Sequence, residues 1–453
     1  MSITVTDYFT NDLIDYAAYD NIRKIPSYID GLKMSQRKIV YTLFKKYPKE
    51  FVKTETLANI AAAFTNYLHG ASNLTIVCAT MTQDFVGTNN YNLTTGNSGG
   101  WGCRINPTVA APRYTRLKLS DVTNLLFSNH DEKIIGRQFF EGDYIEPKFF
   151  VPVFPVLLLN GSNGLSTGFS CTIYPRNPES IAAYIKRKLE GVEKPRVDLR
   201  PWFRGFNGTV RVGENGGYES VGVIKRLNTT NYEITELPIG MEYQKYITIL
   251  DKLCEDKVIV DYDDCCEPKT DTILFKVKTT RQFTNQNDTP AKLEKVFKLA
   301  RGLAENLNCI DENNRVREFG SVEEILDAYI DVRLKFYGKR KEFLIEQLKR
   351  KLTVAASKYL FIKCVVTGKI KVAKMPKDEI VKQLKSHDNI KEVDGSYDYL
   401  LNMPIYSLTK EQMEKLAKEI DELKKELIRV ASTEANEMWT DDLKVVTGKL
   451  KRL

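Results

Sequence analysis

In two stretches after Val322, apolar residues recur at steps of three and four, and this repeat limits the fold more than any other feature. Ile325, Tyr329, Val332 and Phe336 mark one edge, continued by Leu344, Leu348 and Leu352. Met413, Leu416, Ile420, Leu423, Leu427 and Val430 mark a second, with the spacing of a heptad seam. Two long helices separated by residues 357–407 imply an antiparallel coiled-coil arm with a small globular tip, whose contact surface is YLLNMP. Two helices packed on the body of the protein satisfy the same periodicity. At 453 residues the chain has room for about three domains.

The segment after Cys171 alternates strand-like runs with turns: GTVRVG, VGVIKRL, YEITELP and DTILFKVK. The segment before it is helical at first. Leu32, Ile39, Val40, Leu43 and Phe44 step at roughly helical intervals, which turns Lys33, Arg37 and Lys38 toward the other side. A second helix is predicted over Lys53 to Phe64, and a third, capped by Ser72, carries Leu74, Val77, Cys78, Met81 and Phe85. NNYNLTTGNSGGWGCR, residues 89–104, is rich in Gly and Asn and reads as a wing. Three short helices followed by a wing make a winged-helix arrangement. The expected fold is therefore α+β and multidomain. Residues 1–171 form a winged-helix domain, 172–320 a mixed α/β domain and 321–453 the coiled-coil arm.

Several chemistries find no support. The longest apolar run, Phe149 to Leu159, contains Pro152 and Pro155 and is about half the length of a spanning helix. The N-terminus lacks the basic start and apolar core of a signal peptide. The eight cysteines are scattered, as expected of reduced thiols in a cytosol. With only His69, His130 and His387, and no Cys-x-x-Cys, a zinc or Ser-His-Asp hydrolase is not indicated. Neither a GxxxxGK[ST] loop nor a GxGxxG turn is present.

Charge is concentrated instead. Arg23, Lys24, Lys33, Arg37, Lys38, Lys45, Lys46, Lys49 and Lys53 face only Asp30 and Glu50, so this stretch holds almost all of the net charge of +8. A solvated helix face and a helix lying along DNA phosphates both fit such a run. AAPRYTRLKLS, residues 110–120, then places Tyr114 beside Arg113. A phenol with a pKa of about 10 is a poor nucleophile until its anion is stabilised, which a guanidinium can do while also gripping a phosphate. Spacing alone leaves Tyr114 as one of 23 tyrosines that could simply pack.

Taken together, the motifs resemble the cleavage-reunion core of type IIA DNA topoisomerases. They are IPSYIDGLKMSQRKIVYTLF, YLHG, QDFVGTNNYNL, GGWGCR, APRYT, PVFPVLLLNGSNGLSTGFSC, YDYLLNMPIYSLTKEQMEKL and MWTDDL, in that order over almost the whole chain. The wording is closer to the eukaryotic and large-virus enzymes than to bacterial gyrase. The start just before the DNA-gate domain is similar to the separate medium subunit of T-even-like phages.

The resemblance implies a role for Tyr114 as the nucleophile that holds a cut DNA strand as a phosphotyrosine. Arg113 and Arg23 match arginines that reach the scissile phosphate, so the implied catalytic set is Tyr114, Arg113 and Arg23. Lys33, Arg37 and Lys38 match DNA-backbone contacts, and His69 matches the second histidine of the family's YHHG. Leu68 stands in place of the first. Leu165, in NGLSTG, matches an isoleucine wedge that bends the gate DNA; apolar wedges of this kind unstack a base step. A leucine in the loop-like run NGSNGLSTG could instead fold back beside Val156 to Leu159. In the family's terms, residues 172–320 are the tower, with phosphate contacts from residues such as Arg204, and the arm is an exit gate that dimerises.

The implied function is DNA cleavage and rejoining in an ATP-dependent type IIA topoisomerase, in which a second duplex passes through a transient double-strand break. The implied partners are double-stranded DNA, a second copy of the chain, and one or more subunits carrying the ATPase and metal-binding domains. Mg2+ and ATP are expected to be bound by those subunits. VIVDYDDCCE carries Asp261, Asp263 and Asp264 after an apolar run, but it lies in the tower position and lacks the partner glutamate motif, so no metal site is assigned to it. The expected compartment is cytoplasmic, the bacterial host's if the chain is phage-encoded. A non-catalytic winged-helix DNA binder that dimerises through a coiled coil, and an interaction protein working through the coiled coil, are the readings from other classes.

Overall fold

The structure, a computed structural model, describes residues 4–128, 131–213, 216–287, 289–372 and 375–452. The chain forms two compact units, one of Met1–Arg333 with Thr440–Leu453 and one of Leu334–Trp439.

The first unit opens with α1 (Val5–Asp7), a π-helical turn and α2 (Ile14–Lys24). α3 (Met34–Lys46) follows a bend at Gly31, where the backbone takes φ +68° and any Cβ would lie 2.3 Å from the Leu157 nitrogen. Leu32, Ile39, Val40 and Leu43 of this segment are buried. α4 (Thr54–Phe64) and α5 (Ala71–Thr82) pack on α3, and the antiparallel sheet β1-β3-β2 (Val52–Lys53, Arg116–Leu119, Thr94–Ser98) lies beside them. α5 starts one residue before the expected Ser72 cap, because Gly70 at φ +76° occupies the N-cap position. It ends before Phe85. The first strand of the glycine-rich segment is β2, so part of the expected wing is sheet.

α6 (Asp121–Leu126) leads to the hairpin β4 (Arg137–Phe140) and β5 (Asp143–Pro147). The run 152–159 forms the end of a buried segment and α7 (Val156–Asn160), whose four apolar side chains are all core. NGSNGLSTG is only partly loop: it supplies β6 (Ser162–Leu165) and the turn that leads to its hairpin partner β7 (Ser170–Ile173), and α8 (Pro178–Leu189) follows.

β8 (Thr209–Val212), β9 (Tyr218–Val221) and β14 (Ala300–Leu303) form one sheet in the order β14-β9-β8. β10 (Val223–Arg226), β11 (Asn231–Glu236), β12 (Asp261–Asp264) and β13 (Phe275–Lys278) form another in the order β10-β11-β13-β12. α9 (Tyr243–Glu255), α10 (Arg281–Gln286) and α11 (Pro290–Val296) cover the latter through Tyr246, Leu250 and Phe283, with Phe297 at the end of α11, in one core with Phe275. β15 (Asn308–Ile310) and β16 (Val316–Glu318) form a two-stranded sheet.

α12 (Val322–Val366) runs for 45 residues, longer than the first apolar edge required. In the second unit α13 (Lys377–Lys385) and α14 (Asp398–Leu401) close a small core around Phe361, Ile380, Leu384 and Leu400. α15 (Lys410–Ser432) packs Leu416 against Ala355 and Ile362 of α12, with Met413, Ile420 and Leu423 alongside. These contacts fall on α12 beyond Leu352, C-terminal to the residues of the first periodic edge. α16 (Ala435–Leu450) ends the chain.

Candidate nucleic-acid interface and nucleophile

Tyr114 sits on the turn that feeds β3. Its amide donates to the Ala111 carbonyl at 2.9 Å, and the turn is strapped to the start of α4. The Thr54 and Glu55 amides, first-turn donors without helical partners, donate to the Thr115 and Pro112 carbonyls at 3.0 and 3.4 Å. The Thr54 and Thr115 hydroxyls meet at 2.7 Å. Gly99, at φ +76°, backs the turn; a Cβ there would lie 2.7 Å from Thr115 Cγ2 and 3.1 Å from the Tyr114 carbonyl oxygen. Thr115 is buried while Tyr114 is 66% exposed. The Arg113 guanidinium lies 5.3 Å from the Tyr114 ring centroid. A rigid turn therefore presents a phenol and a cation together to solvent.

A second network is built on α2. Arg23 pairs with the buried Asp20 at 3.2 Å, and Lys24 pairs with it at 2.9 Å. Arg23 Nε is buried and has no hydrogen-bond partner among the described residues, so an added oxygen there would satisfy a donor. Tyr67 hydrogen-bonds Arg23 and meets the His69 ring edge-on at 5.5 Å. Burial and the Arg23 charge hold the His69 imidazole below its usual range, against the pull of Asp20. Burial pushes the Asp20 carboxyl up, but hydrogen bonds from Lys24, Thr167 and Arg23 outweigh it and hold the group below the usual carboxylate range. These bonds are thus intact at neutral pH and fail only in strong acid.

The same Asp20 anchors the β6–β7 hairpin. The Thr167 amide and hydroxyl donate to Asp20 Oδ2 at 3.1 and 3.0 Å, and the Ser166 hydroxyl bonds Asn21. Gly164 rests on the Lys24 carbonyl, where a Cβ would come within 2.3 Å of the oxygen. Lys33 Nζ donates to the Asn163 carbonyl from the other flank. Between these fixings Leu165 is 75% exposed. It does not fold back beside Val156 to Leu159, which are buried without it.

The expected outward face of Lys33, Arg37 and Lys38 is corrected by the structure. Arg37 is 6% exposed and grips Asp30 through Nε and Nη2 at 2.7 and 3.0 Å. Lys38 is 3% exposed and reaches the Thr65 carbonyl at 2.6 Å and Glu146 at 2.8 Å. Lys33 is half-buried against β6, and burial pushes its ammonium down. The exposed cations of this basic stretch are Lys45, Lys46, Lys49 and Lys53.

Arg204 bonds Asp84 at 2.7 Å and covers the Tyr91 ring. Asp261, Asp263 and Asp264 lie along β12, with Asp264 taking the Tyr243 hydroxyl, and among the described residues no group of His, Cys, Asp or Glu is placed to hold a metal.

Arg23, His69, Lys33 and Leu165 are therefore linked through α2 and its hairpin. No hydrogen bond or ring contact joins them to Arg113 or Tyr114 among the described residues. Sequence reasoning missed Tyr19, Asp20 and Thr167. The first two carry a faint signal, Tyr19–Arg23 and Asp20–Lys24 each being four apart on one helix; the 147-residue reach from Asp20 to Thr167 carries none.

A solved structure of the DNA-binding, cleavage and re-ligation domain of Plasmodium falciparum topoisomerase II is similar over 98% of this chain and 64% of that one, with a TM-score of 0.88 and 32% identity. Mitochondrial DNA topoisomerase 2 of Dictyostelium discoideum is 33% identical over 99% of the chain, and DNA topoisomerase 2 of Invertebrate iridescent virus 6 is 31% identical over 98%. The chain belongs to the DNA gyrase/topoisomerase IV family, whose model matches residues 23–444. It spans 35% and 39% of the length of those two relatives, roughly a third. Among the described residues no helix is long and apolar enough to cross a membrane.

Proposed function

We propose that this chain is the DNA cleavage and rejoining part of a type IIA topoisomerase. The observation that carries the reading is the exposed Tyr114 beside Arg113 on a turn strapped at both ends, within a chain of this family. Tyr114 Oη attacks a backbone phosphorus as the phenol loses its proton. A bond from phosphorus to the tyrosine oxygen forms and the bond to a sugar oxygen breaks; the phenol's proton passes to solvent, and the leaving oxygen takes one up to become a hydroxyl. The reverse step rejoins the strand, and no external energy is needed because the phosphotyrosine keeps that of the broken bond. Arg113 and Arg23 offset charge on the phosphate, a type of contact worth about 3 kcal/mol in a transition state. His69 adds a contact to the strand.

In this reading α3–α5 with the β1-β3-β2 sheet act as a winged-helix DNA gate, residues 172–320 as the tower, and α12 with α15 as a coiled-coil exit gate. Two copies pair, one for each strand of the duplex. Mg2+ and ATP are held by one or more partner subunits, in the cytoplasm, the bacterial host's if the chain is phage-encoded; the metal would supply charge stabilisation at the phosphate and the leaving oxygen.

The test is a denaturant trap. Mixed with duplex DNA, magnesium and the partner subunit, the chain should yield DNA covalently bound to protein. Absence of any adduct under conditions where DNA is bound rejects the reading.

Leu165 is the proposed wedge. Since its side chain is largely exposed, Leu165→Ala should change stability by less than about 0.5 kcal/mol. A buried leucine would cost roughly 2–5 kcal/mol. DNA bending and cleavage should both fall, because an unstacked step costs a few kcal/mol that a methyl group cannot offset. A fluorescence bending assay and a melting curve on the same variant decide it; unimpaired bending ends the wedge assignment.

A further inference from the structure

The ring cluster around His69 fixes more than the position of an imidazole. Tyr19 and Arg23 share one face of α2. The Tyr19 hydroxyl lies 2.9 Å from His69 Nε2, and the rings stack with centroids 5.6 Å apart. Leu68 is exposed and supplies no second imidazole. Which ring nitrogen of a neutral histidine carries the proton is set by the bond its other nitrogen makes. A phenol donates better than it accepts, because its lone pairs are drawn into the ring, whereas a bare imidazole nitrogen is a strong in-plane acceptor. Burial pushes the Tyr19 phenol up despite the Arg23 charge, so it keeps its proton. His69, held down by burial and Arg23 with Asp20 opposing, is neutral above neutral pH.

We propose that Tyr19 is a positioning residue: its hydroxyl donates to Nε2, fixes His69 as the Nδ1–H tautomer, and leaves that N–H as the ring's remaining donor for a phosphate oxygen of bound DNA. The phosphate half rests on the function proposed above; the tautomer does not. Tyr19 touches no substrate and acts through His69.

The test uses the full chain with nitrogen-15 histidine. Only three histidines are present, and His69→Gln identifies the signals of His69. Above neutral pH, a long-range proton–nitrogen spectrum should show Nε2 bare and Nδ1 protonated. Tyr19→Phe keeps the stacked ring and removes the hydroxyl, so both nitrogens should move toward averaged values. A proton on Nε2 in the unchanged chain overturns the proposal, and so does a tautomer unaffected by Tyr19→Phe. The first outcome is read on the unchanged chain, with His69→Gln used only to assign its signals, and cannot be confused with misfolding. In the reconstituted complex, Tyr19→Phe should lower covalent adduct several-fold at saturating DNA. Unchanged cleavage with a shifted tautomer overturns the phosphate half. If the unchanged chain forms no adduct where DNA is bound, the function proposed above fails while the tautomer result stands.

Discussion

Tyr114→Phe, combined with the partner subunit, magnesium and duplex DNA, is expected to bind DNA as the unchanged chain does and to give no covalent adduct. Only the attacking oxygen is lost. The ring is 66% exposed, so its packing contributes little to the fold, and the Arg113 guanidinium keeps its place over it. Stability should stay within about 0.5 kcal/mol. The backbone that shapes the turn is untouched, because its bonds run through Thr54, Glu55, Pro112 and Thr115. Gel-shift binding and denaturant trapping on one preparation separate the two effects. Adduct from this variant would move the nucleophile to another residue.

Arg37→Ala and Lys38→Ala are expected to fail in a different way, by destabilising the fold. Arg37→Ala leaves Asp30, fully buried, with the Phe150 and Leu32 amides as its neighbours but no cation. Lys38→Ala leaves Glu146, 1% exposed, without its ammonium. Removing one partner of a buried pair costs about 3–5 kcal/mol. Urea unfolding should show this as a lower midpoint for each. A phosphate contact behaves otherwise: its loss weakens binding to all sequences and flattens the salt dependence, with stability intact. A normal midpoint with a flatter salt slope for either variant would return that residue to the DNA surface.

These two residues also show where a sequence stops being informative. Periodicity placed α3 and the edges of α12 and α15 because burial of one helix face repeats along the chain. It could not show that the opposite face of α3 is also covered. That depends on Glu146, 108 residues away, and on the Thr65 carbonyl. Asp30 was visible as one of two acids in the basic stretch, yet its pairing with Arg37 needs the turn at Gly31. The segment around Leu165 read as a loop because Gly, Asn and Ser dominate it; β6 exists because Gly164 lets the strand lie on the end of α2. Tyr114 and Arg113 were legible as a pair, since adjacency is a sequence property. The strap that exposes them joins residues 61 apart and was not.

Leu165 is held by neighbours on both flanks, with Asn163 fixed to Lys33, and Ser166 and Thr167 fixed to α2. A clamped leucine has no hydrogen-bonding group with which to read a base edge. What it can weigh is the mechanical softness of the duplex. Pyrimidine–purine steps unstack and kink more readily than stiff A-tracts. Any preference this residue imposes on where DNA is opened would therefore follow the flexibility of the helix rather than its lettering, and sites sharing no bases could be equally good.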